Sequence, residues 1–284
     1  MQADKEDEMS KITAAAVKHK AMDLGADIVG IASADLMAGE SEGYRPGDLL
    51  PDARFVISVG VRQLQTYMEK APDPSYFMFG YRQKNDLINK IVWNTARMID
   101  HEGYYALPIQ AYGEGELFVD TTPLPGRAER KMKARAQMRG SFSHVRAAAA
   151  AGLGQVGLNG MLVHPDYGPR VHLGSIITTA PLTADEPFAG KLCQTRVCGA
   201  ACQKECPAKA LSREGVLTDV DCLIALNNLN TNYEDTVRQI LDKQAKEDPL
   251  RRADFAIGYA EFAGIGYCGI PCVNACPVGK KALL

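Results

Sequence analysis

The sequence predicts an α+β protein in two parts, an α/β layer unit over residues 1–185 and a cysteine-bearing unit over residues 186–284. Three observations carry that division. All eight cysteines fall between Cys193 and Cys276. The first 185 residues alternate helical and strand periodicities without a single cysteine. Hydrophobic residues at 46% and charged residues at 23% make an ordinary globular composition, which excludes disordered and fibrous classes.

The N-terminal elements follow from local pattern. Ser10 is placed to cap a helix whose stripe includes Ile12, Ala15, Ala16 and Met22, with Gly25 at its end, and His19 falls at packing distance on the same face. Asp27 to Ala32 and Arg54 to Val61 are short apolar, β-branched runs of strand length. Asn85 or Asp86 is placed to cap a longer helix whose apolar face is Leu87, Ile88, Ile91, Val92, Met98 and Ile99 and which ends at Gly103. Tyr104 to Ile109 and Glu116 to Asp120 read as further strands, and Tyr76 and Tyr81 belong to an aromatic stretch that covers a pocket or fills a small core.

Six basic residues lie between Arg127 and Arg139 with one acid, Glu129, among strong helix formers. They form a solvated helix face or a docking site for an anionic cofactor or partner. The whole chain carries 32 basic and 34 acidic side chains, net −2, so no global cation field holds a nucleic acid backbone. No run approaches the ~20 apolar residues of a membrane span, and Met1 to Ser10 is acidic and polar, unlike a signal peptide. The expectation is a cytoplasmic protein with no membrane partner.

Gly152, Gly154 and Gly157 spell G-x-G-x-x-G, but an alanine run from Ala147 to Ala151 precedes them and Pro165 follows. A dinucleotide site needs a strand before and a helix after. These glycines instead permit a tight loop with close backbone approach.

The cysteines run Cys193-x4-Cys198-x3-Cys202-x3-Cys206-Pro207, then Cys222, then Cys268-x3-Cys272-x3-Cys276-Pro277. VCGAACQKECP and YCGIPCVNACP share Cys, Gly, Cys, Cys and Pro in register seventy residues apart, the trace of a duplicated half-site. Disulfides lack a secretory context, and zinc sites favour paired C-x2-C knuckles. Two [4Fe–4S] clusters account for all eight thiols. In two-cluster ferredoxins the cysteine before proline ligates the other cluster. That crossover assigns Cys193, Cys198, Cys202 and Cys276 to cluster one, and Cys206, Cys222, Cys268 and Cys272 to cluster two. The early gaps are longer than in the familiar C-x2-C-x2-C-x3-C-P run.

AGLGQVGLNGMLVHPDYGPRVHLGSIITTAPL, residues 151–182, resembles the segment that joins the catalytic and ferredoxin domains of epoxyqueuosine reductases and corrinoid reductive dehalogenases. LFVDTTPL, residues 117–124, is similar to the strand end that carries the proton-donating aspartate of epoxyqueuosine reductases. GADIVGIA and LLPDARFVISVGV fit the same family, so the resemblance spans nearly the whole chain.

The resemblance implies a nitroreductase-like α/β domain holding base-off cobalamin, followed by a ferredoxin-like domain with two [4Fe–4S] clusters. An external low-potential donor of ferredoxin or flavodoxin type would feed the clusters, and cobalamin would reduce an organic substrate, a small molecule or a modified nucleoside. It implies Asp120 as the catalytic proton donor, with a turn or helix-cap aspartate as the plainer reading. It implies Gly154, Gly157, Asn159, Tyr167 and Arg170 as cofactor contacts. His144, His164 and His172 flank the same loop as structural residues or corrinoid neighbours.

Three departures bear on the substrate. The sequence ends eight residues after Cys276, without the helical repeats that help hold tRNA in many epoxyqueuosine reductases. Gln155 stands where the family usually has tryptophan, and the basic stretch between Pro123 and Ala151 reads as an insertion. A tRNA partner is therefore the weaker expectation. A corrinoid-free electron-transfer protein that reduces or reactivates a partner protein is the alternative.

Overall fold

A computed structural model describes residues 12–70, 74–111, 142–206, 209–211 and 270–280, with side chains left aside at 74–78 and 270. Asp120, the basic stretch, Cys222 and Cys268 lie outside the described residues, as do Ser10 and the strand expected at Glu116 to Asp120.

The helices are α1 (Ala14–Asp23), α2 (Pro46–Leu49), α3 (Gln65–Glu69), α4 (Pro74–His101), α5 (His144–Ala150), α6 (Thr195–Cys198), α7 (Ala201–Lys204) and α8 (Ile270–Ala275). The strands are β1 (Ile28–Ser33), β2 (Phe55–Arg62), β3 (Ala106–Ile109), β4 (Gln155–Val156), β5 (Leu162–Val163) and β6 (Val171–Thr178). Four of them form one antiparallel sheet in the order β1-β2-β6-β3, with Ile57 opposite both Ile31 and Ile176. Strand β2 is apolar almost throughout because helices cover both faces. Ile57, Val59 and Val61 point into the core with α1 and α4, whereas Val56 points to the other side with Ala147 of α5. Val56, Ile57 and Val59 are each fully buried, and each contributes about 1.5–3 kcal/mol on that account.

Several local expectations change. The cap of α1 is Thr13, whose side chain accepts from the backbone N–H of Ala16, and its buried residues are Val17 and Ala21. Ala15 and Ala16 are exposed, and His19 is exposed beside Asp23 at 3.0 Å rather than packed. Helix α4 begins at Pro74, so Asn85 and Asp86 are interior residues and not caps. Asn85 is buried because its Oδ1 meets Nε2 of His172 on β6. The alanines of α5 serve close packing: Ala147 and Ala148 are fully buried against the sheet.

The chain leaves β6 along an extended stretch anchored at Asp185. Its backbone N–H donates to Ile31 O at 2.7 Å, and its carboxylate accepts from Ile31 N–H at 2.8 Å and pairs with Lys18. From there residues 186–192 lead to Cys193 without helix or strand.

Candidate functional site: a four-cysteine cavity against the sheet domain

The glycine-rich segment forms the β4–β5 hairpin. A Cβ at Gly154 would stand 2.2 Å from Val163 O, and its φ of +151° suits glycine. A Cβ at Gly157 would press on Val163 Cγ2 at 2.7 Å and Asn159 Oδ1 at 2.9 Å. Close approach within the hairpin explains both residues.

The hairpin aims its loop at Cys193. Gln155 Oε1 accepts from the backbone N–H groups of Leu192 at 2.9 Å and Cys193 at 3.3 Å. The backbone N–H of Leu158 donates to Cys193 Sγ at 3.3 Å. Asn159 is buried, its Oδ1 accepts from Met161 N–H at 3.3 Å, and it lines the same cavity.

Helices α6 and α7 are one turn each, joined through Gly199 and Ala200, both left-handed at φ +62° and +53°. Ala200 and Lys209 are two of the three described non-glycine residues at positive φ, a costly backbone, and Ala200 stands between Cys198 and Cys202, which line one cavity. Cys193, Cys198, Cys202 and Cys276 line one cavity of about 190 Å³. Among the described residues no three His, Cys, Asp or Glu side chains converge on a single ion. Four thiols spread around a cavity fit a multi-iron cluster better than a tetrahedral zinc, whose ~2.3 Å bonds draw its ligands together. Cys206 is buried with Ala210 and Leu211, and Cys272 packs against that second group together with Cys202. The structure thus brings together four residues named for cluster one around one cavity, and places Cys206 and Cys272, named for cluster two, in a neighbouring group that Cys202 also joins.

The electrostatics reflect crowding. Burial pushes the Cys202 thiol up, and neighbouring Cys193 adds to the rise. Burial likewise raises Cys276, opposed by the backbone N–H of Val278 and by the positive charge of Arg170.

The cysteine segment 270–280 docks directly on the sheet domain. Val273 packs with Met68 of α3, and Asn274 Nδ2 donates to Met68 O. Gly168 and Gly279 meet main chain to main chain: a Cβ at Gly168 would stand 1.9 Å from Val278 O. Buried Arg170 donates from Nη1 to Val278 O at 2.8 Å and from Nη2 to Cys276 O at 2.6 Å and Asn274 O at 3.4 Å.

Tyr167 stacks on His164 with centroids 5.0 Å apart, and Arg62 lies 6.0 Å from the Tyr167 ring centre. The five residues that the resemblance assigns to a corrinoid are therefore engaged in the hairpin, the cysteine cavity or its docking. Their contacts place them beside the cysteine cavity. Sequence reasoning passed over Gln155 as a mere departure, and the Asn274–Met68 contact gave no local signal.

His144 bonds Ser175 Oγ and Gln110 O, both at 2.9 Å, and burial keeps its pKa low. Burial first, then the Lys84 and His144 charges, push His172 down to about 3, so it is neutral at Asn85 with Tyr81 edge-on at 5.3 Å. Burial lowers Lys84 to about 8, and its Nζ donates to Gln63 Oε1 at 3.0 Å. All three described histidines beside the loop hold the fold's interior.

No protein-family model matches the chain. An epoxyqueuosine reductase of Gloeobacter violaceus is 29% identical over 238 residues, covering 74% of this chain and 65% of that protein. A tetrachloroethene reductive dehalogenase of Sulfurospirillum multivorans is 33% identical over 136 residues, covering 47% of this chain and 23% of the relative. Epoxyqueuosine reductase from Streptococcus thermophilus superposes with a TM-score of 0.56 at 16% identity, over 94% of this chain and 66% of that one. An epoxyqueuosine reductase bound to an epoxyqueuosine-modified tRNA stem loop gives 0.53 at 19% identity, over 93% and 64% of the two chains. A reductive dehalogenase described for B12-dependent dehalogenation gives 0.51 at 22% identity, over 70% and 25%. The chain spans between 23% and 66% of the length of these proteins. Among the described residues no helix is long and apolar enough to cross a membrane. The chain is thus similar in sequence to both epoxyqueuosine reductases and reductive dehalogenases and shares their α+β fold.

Proposed function

We propose that this chain is a cytoplasmic iron–sulfur reductase whose two [4Fe–4S] clusters carry low-potential electrons from an external ferredoxin- or flavodoxin-type donor to a cobalamin that reduces an organic substrate. The carrying observation is the cavity lined by Cys193, Cys198, Cys202 and Cys276, closed by two distant segments and set against the sheet domain. Its membership agrees with the crossover partition, and the pairing of Cys206 with Cys272 in the second group supports the same reading.

The residues have distinct tasks. Thiolates hold iron, and the N–H of Leu158 bonds one ligand sulfur, a contact that helps set cluster potential. The hairpin and residues 273–279 exclude water from the side facing the sheet. When bound, cobalamin supplies a strongly reducing cobalt centre, chemistry no side chain provides. The family resemblance assigns Gly154, Gly157, Asn159, Tyr167 and Arg170 to its contacts. The division at residue 185 belongs to the same proposal, with Asp185 as the anchor from which the cluster unit departs.

Anaerobic EPR of the reconstituted protein with one equivalent of cob(II)alamin tests the reading. The expected result is about eight iron atoms per chain and conversion of the cobalt signal to the base-off form. Iron at that level with an unchanged free-cofactor signal overturns the corrinoid step. That outcome favours the second reading, a corrinoid-free electron-transfer protein acting on a partner protein, for which co-purification or redox coupling with that partner is the further expected result.

Asp120 is proposed as the proton donor on the family resemblance. Asp120→Asn is expected to keep full iron content and cobalt signal while slowing turnover by about 10²–10⁴-fold, the usual contribution of a positioned acid. A modified nucleoside, free or in a tRNA stem loop, and a small organohalide are the substrates to compare. Turnover unchanged by the substitution would remove Asp120 from the reaction.

A further inference from the structure

Arg170 stands at the entry to β6, 5% exposed, on a turn whose Gly168 touches the backbone of Val278. Its guanidinium gathers the carbonyls of residues 274, 276 and 278, spanning the whole turn that presents Cys276. Three neutral acceptors take its hydrogen bonds, and Glu69 opposes its charge electrostatically without an ion-pair contact. Among the described residues no carboxylate forms an ion pair with it, and its Nε–H has no hydrogen-bond partner. A buried cation that makes no direct ion pair is unfavourable unless further negative charge lies close by. The nearest anionic group the proposed function supplies is the thiolate cluster whose fourth ligand, Cys276, belongs to the segment that Arg170 clamps.

We infer that Arg170 is a positioning residue for cluster one, fixing the crossover ligand Cys276 against the sheet domain and holding a permanent positive charge beside the cluster. The inference rests on the four-cysteine reading of cluster one proposed above. The positive charge favours the reduced, more negative cluster and so raises its reduction potential, because cluster potentials follow net local charge, hydrogen bonding and exposure. The fork geometry does a separate task. Only a planar guanidinium reaches several carbonyls of one turn at once, whereas a lysine ammonium keeps the charge without that span.

Arg170→Gln and Arg170→Lys separate the two effects. In a potentiometric titration followed by EPR, the Gln variant is expected to show cluster one shifted to lower potential relative to cluster two. The Lys variant is expected to keep a near-native potential but to lose cluster-one iron to a chelator several-fold faster. Equal shifts in both variants, or a Gln variant with native potential and native chelation rate, would overturn the inference. If the Gln variant retains no cluster one, the Lys variant decides: a retained cluster at near-native potential supports the role, and loss alike in both overturns the charge effect. Wild-type protein that assembles no tetranuclear cluster would instead overturn the proposed function, so the two failures are distinguishable.

Discussion

Cys276→Ser is expected to abolish the EPR signal of cluster one and remove about four of about eight irons, while Cys222→Ser abolishes cluster two and leaves cluster one intact. The expectation comes from where Cys276 lies. It is seventy-four residues from Cys202 in the sequence yet lines the same cavity as Cys193, Cys198 and Cys202. Cys206, only four residues from Cys202, does not line that cavity and is buried with Ala210 and Leu211, where Cys202 and Cys272 both pack. A partition by proximity in sequence would place Cys206 with the first three thiols and Cys276 with the later ones. The two partitions exchange the consequences of two single substitutions: under crossover, Cys206→Ser costs cluster two and Cys276→Ser costs cluster one. Iron analysis with EPR of each variant reads this directly. If Cys276→Ser and Cys222→Ser remove the same signal, the crossover is wrong.

That Cys193, Cys198, Cys202 and Cys276 line one cavity was legible because cysteine spacing is a strong constraint. Four thiols must reach one cluster, so Cys-Pro endings and a repeated eleven-residue pattern leave few solutions. The strands were legible for a similar reason: runs such as Arg54 to Val61 admit little but a buried strand, and the observed β2 is Phe55–Arg62. What sequence hid were polar residues whose partners are distant. Asn85 has the chemistry of a helix cap, yet it is interior to α4 because His172, eighty-seven residues away, meets it. Local hydrogen bonding and tertiary hydrogen bonding use the same side chains, and periodicity does not separate them. Gln155 shows the same limit: its two backbone partners, Leu192 and Cys193, come near only after β4, β5 and β6 have formed. The Arg170 guanidinium turns toward the cysteine segment and the Tyr167 ring stacks on His164, which no linear pattern records.

Gly168→Ala is expected to undo the docking of residues 273–280 on the sheet domain, and a matched control isolates the cause. Gly168 has φ +57°, and a Cβ there would stand 1.9 Å from Val278 O, a backbone atom with no flexible side chain to yield. Gly103 has φ +88° with nothing within 4 Å of its Cβ position. Both substitutions carry the cost of an L-residue in the left-handed region, about 1–2 kcal/mol. Only the first adds overpacking, about 1–3 kcal/mol more. The excess falls on one interface, because separating the two backbones also pulls the carbonyls of Cys276 and Val278 from Arg170. Gly103→Ala is therefore expected to lower global stability modestly and leave cluster-one iron alone. Gly168→Ala is expected to speed amide exchange at residues 273–280 and release cluster-one iron, even where the sheet core of Ile57, Ile88 and Ile176 stays protected. Exchange at 273–280 no faster in Gly168→Ala than in Gly103→Ala would mean that the Gly168–Val278 approach does not secure the cluster segment. Faster exchange confined to that segment would establish that cluster one is held by the sheet domain as well as by its own thiols, which is what an electron path leading into that domain requires.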